Sequence, residues 1–157
     1  MGTLTVTLKE TLNLNGIEQG STNVKSITDI TQVLKTIIEC PTSEINIVTF
    51  ASAATGISTL DQDDVEYVRL TNLDTTNYIT IGIEKESSTA SVAAFRLDAG
   101  RSFILATSNA STEHPQFFTS DAAHDSSATQ IDIETITALA NTGTCKLEVF
   151  IALNTTT

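Results

Sequence analysis

The chain has 157 residues and a formal net charge of −11 at pH 7, from 19 acidic and 8 basic residues. This length fits one domain that buries about two-thirds of its unfolded surface, so we expect a single domain over residues 1–157. The acidic excess disfavours nucleic acid and anionic membranes as partners, because both require a cationic surface. It suits a solvated acidic exterior or a partner with a basic surface.

Charged residues make up only 17% of the chain, against about 25% in an average protein, which is unlike the composition of disordered proteins. We find neither an apolar run long enough for a membrane helix nor an N-terminal signal sequence, and we therefore expect synthesis in a cytoplasm. Cys40 and Cys145 are predicted to be buried, reduced thiols. A disulfide between them is the alternative, and it requires that they lie on neighbouring strands.

Residues 3–14 alternate between apolar and polar side chains for longer than any other stretch. The apolar set is Leu4, Val6, Leu8, Leu12 and Leu14. A period of two over twelve residues predicts a long, half-buried strand, with a bend or bulge near Glu10. Asn15-Gly16 is a favoured turn pair and ends this strand.

Residues 24–40 allow two interpretations. Their apolar positions fit helical spacing, and Pro41 would close such a helix. The segment is also rich in β-branched residues, which favour strands. We favour two strands, at residues 24–30 and 32–39, with a helix as the alternative. A further strand is predicted from Ile45 to about Ala51.

The centre of the chain, residues 65–107, predicts four consecutive strands. Its clearest signal is Ile79, Ile81 and Ile83 alternating with polar or small residues. Residues 72–77 are rich in Asn, Asp and Thr, which form hydrogen bonds with their own backbone in turns. Beyond this region, residues 131–140 predict a strand with a bulge near Glu134, or else a short helix.

Residues 107–129 are predicted to be a long loop, and residues 154–157 a polar tail. Loops of this length in compact domains are often functional. Phe117 and Phe118 lie in this loop and either fold onto the core or contact a partner. Residues 145–153 predict a final strand with one apolar face, and Phe150 and Ala152 add apolar side chains to its other face. Both sides of the end of this strand are therefore expected to be covered, and Phe150 is a third candidate for partner contact.

Together these elements predict an all-β protein, an antiparallel β-sandwich of about eight to ten strands resembling a jelly roll. Because first and last strands often lie together in such domains, we expect residues 3–14 to pair with residues 145–153.

Candidate catalytic or metal sites are few. One candidate is a metal site formed by His114 and His124 with Asp121 and Asp125, which flank His124. The polar composition of a loop explains the same residues without a metal. The acidic run at residues 61–66 lacks the spacing of a calcium loop. Asp132 and Glu134 form a carboxylate pair of the kind expected by chance among 19 acidic residues. We therefore expect no enzyme activity, no catalytic or metal site and no cofactor.

Two segments, Tyr67 to Gly82 and Ala94 to Leu105, resemble those of small structural proteins in the virions of tailed bacteriophages. In that group a strand pair with an Asn-Leu-Asp turn precedes a Phe-x-Leu hairpin. Residues 38–44 and 145–152 are similar to the same group.

The resemblance implies a β-sandwich on the phage particle, acting as a capsid cement or decoration protein. Its implied partners are the major capsid protein and other copies of itself, with a trimer favoured. A head–tail adaptor or tail component is the alternative within the virion. Outside it, the alternative is a glycan-binding module, although Tyr67 and Tyr78 are the only Tyr residues and Trp is absent.

Overall fold

The computed structural model describes residues 1–51, 53–56, 59–85, 91–106, 116–118 and 130–155. Strands make up most of these ranges. They are β1 (Gly2–Lys9), β2 (Asn13–Leu14), β3 (Ile17–Glu18), β4 (Thr22–Ile30), β5 (Gln32–Cys40), β6 (Ile45–Ala51), β7 (Thr59–Asp61), β8 (Val65–Asn72), β9 (Ile79–Lys85), β10 (Ser91–Leu97), β11 (Ser102–Ala106), β12 (Gln116–Phe118), β13 (Gln130–Ala140) and β14 (Cys145–Leu153). One 3₁₀ turn, Gln62–Asp64, precedes β8.

The predicted all-β sandwich is confirmed. One sheet has the order β11-β8-β14-β5, and the other runs β10-β9-β13-β6-β7, with β12 paired to β13. The eight longer strands of these two sheets have the order of a jelly roll, in which successive strands alternate between the sheets except for the β9-β10 hairpin. The strand number exceeds ten because β2, β3, β7 and β12 have only two or three residues each.

The core lies between the two sheets and consists of the inward side chains of alternating strands. Val68 and Leu70 of β8 are fully buried, as are Ile79, Ile81 and Ile83 of β9. The other core positions on the long strands are Ile133, Ile136, Leu147, Val149 and Ile151. The period-two alternation in the sequence therefore identified the inward face of each of these strands correctly.

The predicted bulge near Glu134 is also present. The pairing of β13 with β9 shifts register between Ile133 and Thr135, where one extra residue enters β13. Ile133, Ile136 and Ala138 are consequently all buried, although their spacing breaks a strict period of two.

Residues 24–40 form two strands, as favoured, and no helix. Asp29 has a left-handed backbone with φ of 61°, and Thr31 separates β4 from β5. The Thr31 N–H donates to the carbonyl of Leu153 at 2.9 Å, which fixes this corner at the end of β14. The corner directs β4 away from the sheet that contains β5.

The expected pairing of the first and last strands is wrong. β1 pairs antiparallel with β4, with Leu4 opposite Ile27 and Leu8 opposite Asn23. β14 lies between β5 and β8, so both of its hydrogen-bonding edges are already occupied. The N-terminal strand therefore forms a two-stranded ribbon outside both sheets.

Cys40 and Cys145 lie directly opposite each other on β5 and β14, fully buried and free. Burial, and then the neighbouring Cys145, raise the pKa of Cys40 to about 11. The thiol form of Cys40 is therefore favoured over the thiolate. The predicted burial of both cysteines is confirmed, and they lie on neighbouring strands as the disulfide alternative requires, so their reduced state stays a prediction.

The four central strands occur as predicted, but their connections differ from the strand pair and hairpin that the resemblance implied. Only β9 and β10 pair with each other, because β8 and β11 belong to the opposite sheet. Both crossings, β8 to β9 and β10 to β11, pass the fully buried Asn72. Its backbone N–H donates to the carbonyl of Arg101, and its carbonyl accepts from the N–H of Gly100, each at 3.0 Å.

The Asn72 side chain joins the two sheets. Its Nδ2 donates to the carbonyls of Asn77 at 2.9 Å and Leu97 at 3.0 Å, and its Oδ1 accepts from the N–H of Asp74 at 3.0 Å. Asp74 continues the turn, because its Oδ1 accepts from the N–H groups of Thr76 and Asn77. These bonds, that of Asn77 first, lower the pKa of Asp74 below its ordinary value of 3.8.

We expect Asn72→Ala to lower the free energy of unfolding by about 2–4 kcal/mol, because it leaves three backbone groups at the sheet junction without partners. Asn72→Asp should be comparably harmful, because it places an oxygen against two carbonyl oxygens. The measurement is urea unfolding followed by circular dichroism. Asn46→Ala, at an exposed position of β6, is the control. Equal stabilities for the Asn46 and Asn72 variants would contradict this account.

We expect acid to destabilise the wild type more than Asp74→Asn. The folded pKa of Asp74 is depressed, so its contribution is present above about pH 4 and is lost as pH falls through the lower folded value. The measurement is the free energy of unfolding of both proteins at several pH values between about 5 and 2. Parallel pH profiles for the two proteins would refute this role of the carboxylate.

Candidate interaction surface

Residues 2–30 form a long β-ribbon, here called the arm, which consists of β1 and β4 with β2 and β3 at its tip. Between these strand pairs the ribbon continues through two backbone hydrogen bonds: Glu10 N–H to Ser21 C=O at 2.8 Å and Gln19 N–H to Leu12 C=O at 2.7 Å. At the tip, Asn15 and Gly16 have φ values of 53° and 82°, the two positive values of a type I′ turn. The predicted Asn-Gly turn and the break near Glu10 are therefore confirmed.

The middle of the arm depends on a close approach at Gly20. A Cβ on this residue would overlap the carbonyl oxygen of Glu10 on the opposite strand. The Glu18 carboxylate crosses the ribbon at the same level, accepting from the N–H groups of Leu12 at 3.2 Å and Gly20 at 2.9 Å. Glycine thus allows the two strands to remain paired through the irregular region.

The base of the arm packs on the outer face of the β11-β8-β14-β5 sheet, the face turned away from the core. Leu4, Val6 and Ile27 of the arm contact a cluster that contains Tyr67, Phe150 and Ala152. Tyr67 is only 4% exposed and meets Phe150 edge to face at a centroid distance of 6.0 Å. The expectation that both sides of the end of β14 are covered is therefore confirmed, and the cover is the arm.

Beyond this base, the side chains of the arm are open to solvent. In residues 7–26, here called the distal arm, every residue except Gly20 is exposed. Five large apolar side chains there are between 53% and 61% exposed: Leu8, Leu12, Leu14, Ile17 and Val24. At about 3.3 Å per residue, the distal arm extends roughly 25 Å. The predicted half-buried face therefore ends at Val6, since Leu8, Leu12 and Leu14 lie beyond the sheet.

The outer face also has apolar positions that the arm leaves open. Val33 and Ile37 on β5 and Ile104 on β11 are each roughly half exposed. β5 and β11 are the two edge strands of this sheet, so Ile104 lies at the opposite edge from Val33 and Ile37. A groove of about 300 Å³ runs between the start of the arm and β5, lined by Gly2, Thr3, Leu4, Ile30, Thr31, Gln32 and Val33.

A charged cluster holds the centre of the outer face. Glu148 is bound by Lys35 at 3.3 Å and by Arg69 at 2.6 Å, and Arg69 lies over the Phe150 ring at 5.3 Å. Burial opposes ionisation of Glu148, but the hydrogen bonds and charges of Lys35 and Arg69 are stronger and lower its pKa. The cluster fixes the position of Phe150 beneath the arm.

Of the predicted partner-binding residues, Phe150 lies in the cluster below the arm, half-buried. Phe117 and Phe118 lie in β12, which pairs with β13, but their side chains are outside the described part of the structure. A partner contact by any of the three stays a prediction. Sequence analysis did not select the distal arm, although its alternation of Leu and polar residues was the available signal.

The candidate metal-binding residues lie mostly outside the described ranges, including His114, His124, Asp121 and Asp125. Asp61, from the acidic run, caps the 3₁₀ turn by accepting from the N–H of Asp63 at 3.1 Å. Among described residues, no group of three or more His, Cys, Asp and Glu side chains has metal-binding geometry.

Tyr78, one of the two Tyr residues considered for glycan binding, lies beneath Arg96, at 4.2 Å from the guanidinium to the ring centroid.

No protein-family model and no curated protein matches this chain. A structure search finds similarity to a protein from Bacillus endospore appendages, which are described as disulfide-linked pili. It is 15% identical, with a TM-score of 0.35, and the match covers 83% of this chain and 98% of that one. A likeness of this size does not define a role for the chain. Within the described ranges, no helical segment has the length and hydropathy of a membrane span.

We expect Gly20→Ala to open the middle of the arm without unfolding the sandwich, because its Cβ would collide with the backbone of Glu10. Amide hydrogen exchange of residues 9–21 should accelerate about tenfold or more, whereas that of β8 and β9 should not change. Gly56→Ala is the matched control, since no atom lies within 4 Å of its Cβ position. Unchanged exchange in the arm would show that the close approach at Gly20 is not needed.

Proposed function

We propose that this chain is a non-enzymatic structural protein of a tailed-phage virion, a cement or decoration protein that binds the head shell. The observation that carries the proposal is the distal arm. An ordered ribbon with five half-exposed, large apolar side chains on its two faces offers apolar surface to another protein, and exposed apolar surface of this kind often marks a protein–protein contact.

The architecture of the arm supports a binding role over a purely internal one. An isolated two-stranded ribbon is at best marginally stable in water, so the distal arm gains most by being covered. Its base is already fixed to the sandwich by Leu4, Val6 and Ile27. The sandwich thus holds the distal arm in a defined position, which lowers the entropic cost of ordering it on a partner.

The more specific part of the proposal rests on the sequence segments that resemble phage virion proteins, although their strand connections differ from those the resemblance implied. They form the two sheet-crossing connections around Asn72, so the resemblance concerns the construction of the sandwich. The major capsid protein is the proposed partner in the head shell. The net charge of −11 suits a basic surface on that partner.

The testing experiment is quantitative mass spectrometry of purified particles, scaled to the major capsid protein. We expect a copy ratio near one, or a simple fraction such as one third, because shell symmetry fixes the number of decoration sites. For a variant with the double substitution Leu14→Thr and Ile17→Thr, the copy number of this protein per particle should fall to a small fraction of the wild-type value. Leu73→Thr, an exposed leucine outside the arm, is the matched control.

Other results would assign other roles. A few copies per particle would indicate a head–tail adaptor or tail component. Absence from the particle would overturn the virion role, and a glycan array would then test the remaining alternative. In that alternative Tyr67 is excluded as an exposed sugar platform, because the arm covers it.

A further inference from the structure

We propose that the distal arm binds the outer face of a second copy of this chain, so that copies associate head to tail. The proposal rests on the proposed structural function and specifies one partner of its arm. The binding surface on the second copy comprises Val33 and Ile37 at the β5 edge of the sheet, together with the adjoining groove.

The first argument is the contact that already exists within one chain. The base of the arm covers part of the outer face through Leu4, Val6 and Ile27, which pack against Tyr67, Phe150 and Ala152. Leu8 follows on the same side of β1 as Leu4 and Val6, but it lies beyond the sheet and is exposed. The distal arm therefore continues, into solvent, a surface whose nearer half is complementary to this sheet.

The second argument is that the outer face continues beyond its own arm. Val33 follows next to Ala152 in the register of β5 and β14, and Ile37 lies four residues further along β5. Val33 is exposed, so apolar surface extends from the cluster under the arm to the β5 edge of the sheet, and Ile37 adds a second exposed apolar side chain at that edge beyond Lys35. The groove at the start of the arm borders Val33 and so adjoins this edge.

The third argument is charge. The distal arm carries Lys9 and Lys25 against Glu10 and Glu18, and is neutral. The outward positions of the four strands carry three cations, Lys35, Arg69 and Lys146, against two anions, Glu39 and Glu148. Although each copy has a net charge of −11, these two surfaces avoid the acidic excess. A second copy can therefore approach here with less repulsion than over the chain as a whole.

Size and symmetry are compatible with this contact. The distal arm offers about 20 residues, comparable with the roughly 20–30 residues per partner of a standard interface. The arm and the face are different surfaces, so the contact is heterologous, and an open assembly keeps a free face at one end and a free arm at the other until a ring closes.

The test uses the purified full-length chain without particles, studied by size-exclusion chromatography with light scattering over a range of concentrations. The arm variant combines Leu14→Thr and Ile17→Thr, two residues that face each other across the tip. The face variant combines Val33→Thr and Ile37→Thr, which keep β-branching on the edge strand. Leu73→Thr is the control, because it removes an exposed leucine that belongs to neither of the two surfaces. Circular dichroism melts establish that every variant is folded.

We expect the wild type and the Leu73 variant to form larger species as concentration rises. The arm variant and the face variant should each remain monomeric, with a dissociation constant raised about tenfold or more. An equimolar mixture of the two should give a dimer and nothing larger, because only one intact arm and one intact face remain in each pair.

Three results would overturn the proposal: a wild type that is monomeric at all concentrations, variants that assemble as the wild type does, or a mixture that rebuilds the full assembly. A wild type that is monomeric but binds particles through its arm would retain the structural function and reject the second copy as partner. Self-association of a chain that is absent from particles would retain the second copy as partner and reject the virion function.

Discussion

The fold depends on one buried amide. Asn72 lies at the only point among the described residues where both sheet-crossing connections of the central strands meet, and its Nδ2 donates to the carbonyls of Asn77 and Leu97. These carbonyls are withdrawn from water by the surrounding sheets, and an unpaired carbonyl there would be costly. The side chain that satisfies both of them also fixes the start of β9 and the end of β10 relative to β8. Registers in both sheets follow from that junction, because strand pairing extends outward from fixed ends.

Alternation in the sequence was sufficient to predict the faces of the strands. Successive side chains of a strand point to opposite faces, so apolar residues at every second position, such as Ile81 and Val149, share the face that packs on the core. It also located the bulge at Glu134, because the shift of phase from Ile133 to Ile136 allows few other strand geometries. Alternation carries no information on which edges pair. The first strand was therefore assigned to the wrong neighbour, and the decisive feature was the backbone corner at Asp29, whose positive φ is uncommon for any residue with a side chain.

The same limit explains why the candidate surface was missed. Leu8 and Leu14 follow the same period as Leu4, yet Leu4 packs on Tyr67 and Phe150 while the other two meet solvent. Alternation with a period of two shows which face of a strand is apolar, but it does not show what covers that face. The sequence identified Phe150 as an apolar residue on the second face of β14. The structure explains why an apolar residue occurs there, because the arm half-buries Phe150 on that face.

In the proposed function, the stability of the arm is linked to its binding. Its base is held by the cluster of Tyr67, Phe150 and Ala152, and that cluster is positioned by Arg69, which Glu148 anchors. Its distal half has only the hydrogen bonds within the ribbon, so its local free energy of opening must be lower than that of the sandwich. Covering the distal arm on another molecule removes apolar surface from water and also stabilises the ribbon. In the proposed contacts, binding and ordering of the arm are thermodynamically coupled, so a change that loosens its base should also weaken binding at its tip.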